Sequence, residues 1–192
     1  MQGVIFDQLE RYAVRELGDD ALARIRDLTG SGATGYRFDS NYPDEKFLVI
    51  LRSVAEATGR TTGEVAEDFG RGLVPALFDI YGFLVDPTWN FFEFILKTEP
   101  TIHRGVKLNS RGARPPVIQA VSIGSRALKI SYRSERRLCR VAIGIILGAA
   151  SIYGVEVHVD EELCMLTGAP ECLILLSGTV YTHSLRAYIL SP

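Results

Sequence analysis

Apolar side chains in the first hundred residues recur every three or four positions. In "VIFDQLERYAVREL", Ile5, Leu9, Tyr12, Ala13 and Leu17 follow a period near 3.6, which predicts an amphipathic helix. A shorter helix, "DDALARIRDL", precedes the loop "TGSGATG". A third, "PDEKFLVILRSVAEATG", opens on Pro43 and acidic residues and closes on Gly59. Thr61 and Glu64 have capping-box spacing, which predicts a helix running to about Tyr81. The aromatic stretch "PTWNFFEFILKTEPTIHRGV" is helical in pattern, with Pro100 expected to interrupt it.

After the loop "LNSRGARPP" the period changes. "PVIQAVSIG" and "ALKISYRSE" alternate like two strands joined at Gly124-Ser125. A helix is expected from Arg136 to about Ile152, followed by the strands "GVEVHVD" and "ECLILLSGTVY". The expected fold is α+β: a helical half over about 1–110, packed on a β-β-α-β-β half over about 115–180 whose helix covers one face of an antiparallel sheet. The last residues, 181–192, are left as a tail of unassigned role.

The length, 192 residues, suits one domain with room for a buried ligand. A net charge of −2 argues against a broad nucleic-acid-binding field. "VAIGIILGAASIYGV" is the longest charge-free apolar stretch, shorter than the roughly 17–25 residues of a membrane span, so a buried helix is expected. An N-terminus without a basic segment and an odd cysteine count, three, point to the cytoplasm and away from a disulfide framework.

In "SYRSERR", Tyr132, Ser134 and Arg136 stand two apart, so on a strand they share one face. That face is either the wet side of a hairpin or an anion site built from two hydroxyls and a guanidinium. His103, in "TIHRGV", is either a hydrogen-bonded core histidine or a metal ligand. Together they match what haem requires: an imidazole for iron, an apolar slot, and donors for two propionates.

With these residues the chain resembles the H-NOX (haem nitric oxide/oxygen binding) domains, which include the sensor domain of soluble guanylate cyclase and bacterial stand-alone sensors. The resemblance covers about residues 1–178. It is carried by Tyr132, Ser134 and Arg136 in the order Tyr-x-Ser-x-Arg, and by His103 some thirty residues before them. The pair Pro115-Pro116, the opening "MQGVIF" and the segment "LGAA" also match. The resemblance implies a haem b gas sensor with the haem between the two halves. His103 is then the iron ligand, and Tyr132, Ser134 and Arg136 bind the propionates. Arg136 also pairs with Asp44, and Pro116 presses on the haem and distorts it. Signals would pass to a partner such as a histidine kinase or a cyclic-di-GMP enzyme.

Oxygen-binding members of this family carry a tyrosine on the helix after the strand motif. Here Val141 stands at about that place. The other positions expected around the gas, Ile5, Leu73 and Leu77, are apolar, and Arg140 and Cys139 are expected to point elsewhere. The resemblance therefore implies a pocket that accepts nitric oxide and carbon monoxide but not oxygen.

Cys139, Cys164 and Cys172 are either three buried thiols, a zinc site or a redox pair between Cys164 and Cys172. Some bacterial H-NOX proteins carry zinc at these positions. The fourth cysteine expected near Gly168 is missing, and His158 is the candidate replacement. Two other functions compete: a zinc or thiol redox sensor or non-haem binding module on this fold, and an enzyme using His103 and Arg136. No second catalytic base is apparent for the enzyme.

Overall fold

A computed structural model describes residues 1–32, 35–37, 40–109 and 112–180; the tail 181–192 lies outside the described residues. Four helices come first: α1 (Gly3–Leu17), α2 (Asp20–Thr29), α3 (Asp44–Thr58) and α4 (Thr62–Tyr81). The capping box at the start of α4 forms, with Glu64 N–H donating to Thr61 Oγ1 at 3.2 Å and Thr61 N–H donating to Glu64 Oε2 at 2.8 Å. The periodic apolar positions turn inward. Phe6, Phe47 and Phe69, from α1, α3 and α4, meet edge to face with ring centroids 6.0 and 5.6 Å apart.

Helix α5 (Phe91–Lys97) opens on a second capping box, Asn90 with Glu93, and continues through a π-helical turn, Thr98–His103, into α6 (Arg104–Asn109). Pro100 therefore widens the helix where an interruption was expected. Proline lacks the N–H of a regular turn and its ring crowds the carbonyl four residues back; a wider turn accommodates both.

The C-terminal half contains β1 (Val117–Gly124), β2 (Ala127–Arg133), α7 (Cys139–Ile152), β3 (Val155–Leu163) and β4 (Cys172–Val180). The sheet is antiparallel throughout, in the order β1-β2-β4-β3. Strand β2 ends at Arg133, and α7 begins at Cys139, three residues later than expected. A turn fills the gap, closed by Arg137 N–H donating to the Ser134 carbonyl at 3.0 Å.

Helix α7 is apolar nearly all round because it is covered twice. One side packs on the sheet with Ile143 and Ile146 against Ile130, Ile174 and Leu176. The other lies on α4 so closely that backbones touch. A Cβ on Gly144 would stand 2.0 Å from the Glu67 carbonyl oxygen, and one on Gly70 would stand 2.2 Å from that of Val141. Among the described residues no helix is long and apolar enough to cross a membrane.

Candidate functional site

A cavity of about 300 Å³ separates the helical half from the sheet half. Its walls bring together His103, Pro116, Tyr132, Ser134, Arg136, Ile5, Leu73, Leu77 and Val141. These come from α1, α4, the π turn, the loop before β1, β2, the turn after it and α7.

His103 ends the π turn with its side chain 15% exposed. Its Nδ1 is 2.7 Å from Glu99 Oε2. Glu99 Oε1 accepts from Lys107 Nζ at 2.9 Å, and the N–H of Ile118 on β1 donates to Oε2 at 3.2 Å. Burial opposes the charge on Glu99, but these three donors outweigh it and hold the carboxyl below its usual range. An ionised partner only accepts, so Nδ1 donates to Glu99; the ring also lies within hydrogen-bonding reach of the Pro116 backbone carbonyl. Burial pushes the ring's own pKa down against the pull of Glu99, which keeps it neutral. Glu99 was not among the residues expected from the sequence. Its four-residue spacing from His103 on a helical pattern was the available signal.

Tyr132, Ser134 and Arg136 do meet at the cavity, but not as one face of a strand. Only Tyr132 lies on β2; Ser134 and Arg136 belong to the turn beyond it. That turn is tight enough to hold Arg137 at φ 50°, an unusual value for a residue with a side chain. Within it Arg136 N–H donates to Ser134 Oγ at 3.3 Å. The Arg136 guanidinium donates to Asp44 Oδ2 at 2.8 Å and to the Arg114 carbonyl at 2.6 Å. The other oxygen of Asp44 lies 2.8 Å from the N-terminal ammonium of Met1, which itself donates to the Tyr42 carbonyl at 2.6 Å. Burial pushes the Tyr132 hydroxyl's pKa well up, so it stays a neutral donor.

Arg140 and Cys139 turn away from the cavity, as expected. Arg140 pairs with Glu67 on α4 and lies 3.8 Å from Glu161 on β3. One polar pair on the wall was not foreseen: the Tyr81 hydroxyl donates to Gln2 Oε1 at 3.1 Å, and both residues line the cavity.

Cys139, Cys164 and Cys172 form a second cluster behind Tyr132. Their sulfurs all lie within 4.8 Å of one another, with Cys172 to Cys139 at 3.1 Å. All three are free thiols. Burial raises the pKa of Cys139 and Cys164, with the Glu161 carboxylate adding to the effect at Cys164. His158 does not join them. It sits opposite Ser177 on β4 and is exposed, because strand alternation turns it away from the inward-facing Val157 and Val159. The group beside Cys164 is Glu161, whose Oε1 is buried without a hydrogen-bond partner.

Residues 2–161 match the family model described as HNOB, haem-NO-binding. The chain is similar to an H-NOX protein from Shewanella oneidensis in its Fe(II)NO state, at 24% identity over 93% of this chain and 99% of that one, with a TM-score of 0.88. The Fe(II)CO state of an H-NOX domain from Shewanella oneidensis matches at 24% identity over 93% and 99% of the two chains, with a TM-score of 0.84. An oxygen-binding H-NOX domain related to soluble guanylate cyclases, in its oxygen complex, matches at 18% identity over 96% and 99%, with a TM-score of 0.78. At these identities the solved structures establish a shared fold. No curated protein matches the chain.

Proposed function

Because the chain belongs to the haem-NO-binding family, we propose that it is a gas sensor, not an enzyme, that holds haem b between its halves and signals to a partner protein. The observation that carries this is the cavity itself. Its walls bring His103, an apolar enclosure and the polar side chains of Tyr132, Ser134 and Arg136 around one space, which supports this reading. Haem, when bound, would supply an iron able to take a diatomic gas.

His103 ligates that iron through Nε2. Tyr132, Ser134 and Arg136 would hold the propionates, with Pro116 against the haem. Ile5, Leu73, Leu77 and Val141 surround the gas. None of these four offers a hydrogen-bond donor, and the Tyr81 proton is committed to Gln2. An oxygen ligand would depend on a nearby donor, whereas nitric oxide and carbon monoxide would not. The site therefore selects nitric oxide and carbon monoxide over oxygen. Because His103 ends the π turn, and Glu99 of that turn contacts β1, a change in how His103 is held would shift one half against the other. A histidine kinase or a cyclic-di-GMP enzyme would read that shift.

The test is reconstitution with haemin. Wild-type protein takes up haem with a Soret band, and His103→Ala folds but keeps haem only with added imidazole. Wild-type protein that stays colourless overturns the proposal, and unchanged haem in His103→Ala overturns the choice of ligand.

A second role is favoured by the cysteine cluster. Three sulfurs within 4.8 Å of one another suit three positions of a tetrahedral zinc site, with Glu161, the neighbour of Cys164, as candidate for the fourth. In this reading Glu161 takes the place first given to His158. Zinc there would join β3, β4 and the start of α7, directly behind Tyr132.

A further inference from the structure

We infer that Glu99 is a positioning residue that sets how firmly His103 holds iron; this rests on the haem reading above. A ligating histidine usually gives its second N–H to an outer partner, and that partner fixes the ring and raises its basicity. A carboxylate does this more strongly than a neutral carbonyl because the hydrogen bond is charge-assisted. Here the partner is a carboxylate at 2.7 Å, short enough for such a bond.

Three features make Glu99 more than an incidental neighbour. It is one helical turn before His103, so the same rigid segment carries both. Lys107 Nζ and the N–H of Ile118 donate to the same carboxylate and hold it against the ring. The Ile118 contact also ties it to β1, at the start of the sheet half. The carboxylate thus grips the ligand ring with one oxygen and shares that oxygen with the opposite half of the molecule. Lys107, on the other oxygen, draws charge away from the ring. Glu99 strengthens the imidazole as a donor, and Lys107 moderates that effect.

Two substitutions separate this role from simple support of the helix. Glu99→Gln keeps the shape and a hydrogen-bonding oxygen but removes the charge. In the haem-loaded ferrous protein, the iron–histidine stretch seen by resonance Raman falls in frequency, and the midpoint potential rises. A larger fraction of the protein then loses its histidine bond on nitric oxide exposure. Lys107→Ala moves the stretch and the potential the opposite way. A purely structural role predicts weaker haem retention in both variants, with no opposed shifts. If Glu99→Gln does not fold, the direction of the Lys107→Ala shift decides alone. Haem-loaded variants with the wild-type stretch and potential overturn the inference and leave the haem reading standing. Wild-type protein that takes up no haem overturns both.

Discussion

The Arg136 guanidinium and the Asp44 carboxylate meet at 2.8 Å although 92 residues separate them in the chain. Asp44 is the first residue of α3, and Arg136 belongs to the turn after β2. The contact is therefore a fastener between the two halves, at the rim of the cavity. The second oxygen of Asp44 adds the N-terminal ammonium, so one carboxylate joins the chain start, the helical half and the sheet half.

This arrangement predicts unequal roles in haem binding. Charged hydrogen bonds contribute about 1.5–3 kcal/mol and neutral ones about 0.5–1.5. Arg136→Ala should weaken haem affinity by about 10–100-fold, and Ser134→Ala by less than about tenfold. Titration of apoprotein with haemin measures both. Equal and negligible losses would remove Arg136 from the site.

A pH effect follows from the same pair. Burial opposes ionisation of Asp44, but the N-terminal ammonium and Arg136 outweigh it and hold its carboxyl below the ordinary range. A group whose folded pKa is depressed stabilises the fold above its unfolded pKa of about 3.9. That stability is lost as pH falls through the lowered folded value. Asp44→Asn should therefore be less stable than wild type near pH 7, with the difference shrinking below about pH 4. Urea unfolding at a series of pH values checks this, and a gap of constant size would refute it.

The proposed gas selectivity rests on the apolar side chains of Ile5, Leu73, Leu77 and Val141. Air-exposed ferrous wild-type protein should show no stable oxygen complex, while nitric oxide and carbon monoxide bind. Val141→Tyr places a hydroxyl at that wall and should gain an oxygen complex visible in the absorption spectrum. Stable oxygen binding by the wild type would sink the selectivity proposal.

The thiol cluster predicts about one zinc per chain in purified protein, as a closed site implies. Cys139→Ser, Cys164→Ser and Cys172→Ser should each lower it sharply, and His158→Ala should leave it unchanged. Glu161→Gln tests the fourth position. Metal-free protein with three titratable thiols leaves the cluster as a small apolar core.

The α4–α7 crossing predicts a fold defect unrelated to ligands. A methyl on Gly144 would strike the Glu67 backbone, which cannot swing aside as a side chain would. Gly144→Ala should destabilise by about 1–3 kcal/mol, the range for forced overpacking. A lower urea midpoint at constant slope would show it.

Much of the fold could be read along the chain because its signals are local. Apolar period, the Thr61–Glu64 cap and the alternation in β1 to β4 all act within a few residues. The strand trio misled for the same reason. Alternation continues in the letters of "SYRSERR", but pairing with β1 and β4 reaches no further than Arg133 and Tyr132. The backbone then turns, and Ser134 and Arg136 reach the cavity by a different route from Tyr132.

The sequence by itself determined the α+β order and the buried character of α7, and through family resemblance it pointed to His103, Tyr132, Ser134 and Arg136, which the fold brings to one cavity. Only the tertiary structure decided the partners: Glu99 and Ile118 around His103, Asp44 and Met1 at Arg136, and the turn of His158 away from the three cysteines. The physical reason is range. Helix and strand propensities are set by neighbours a turn away, whereas a hydrogen bond or a ligand set depends on which distant segments the packed core brings within about 3 Å.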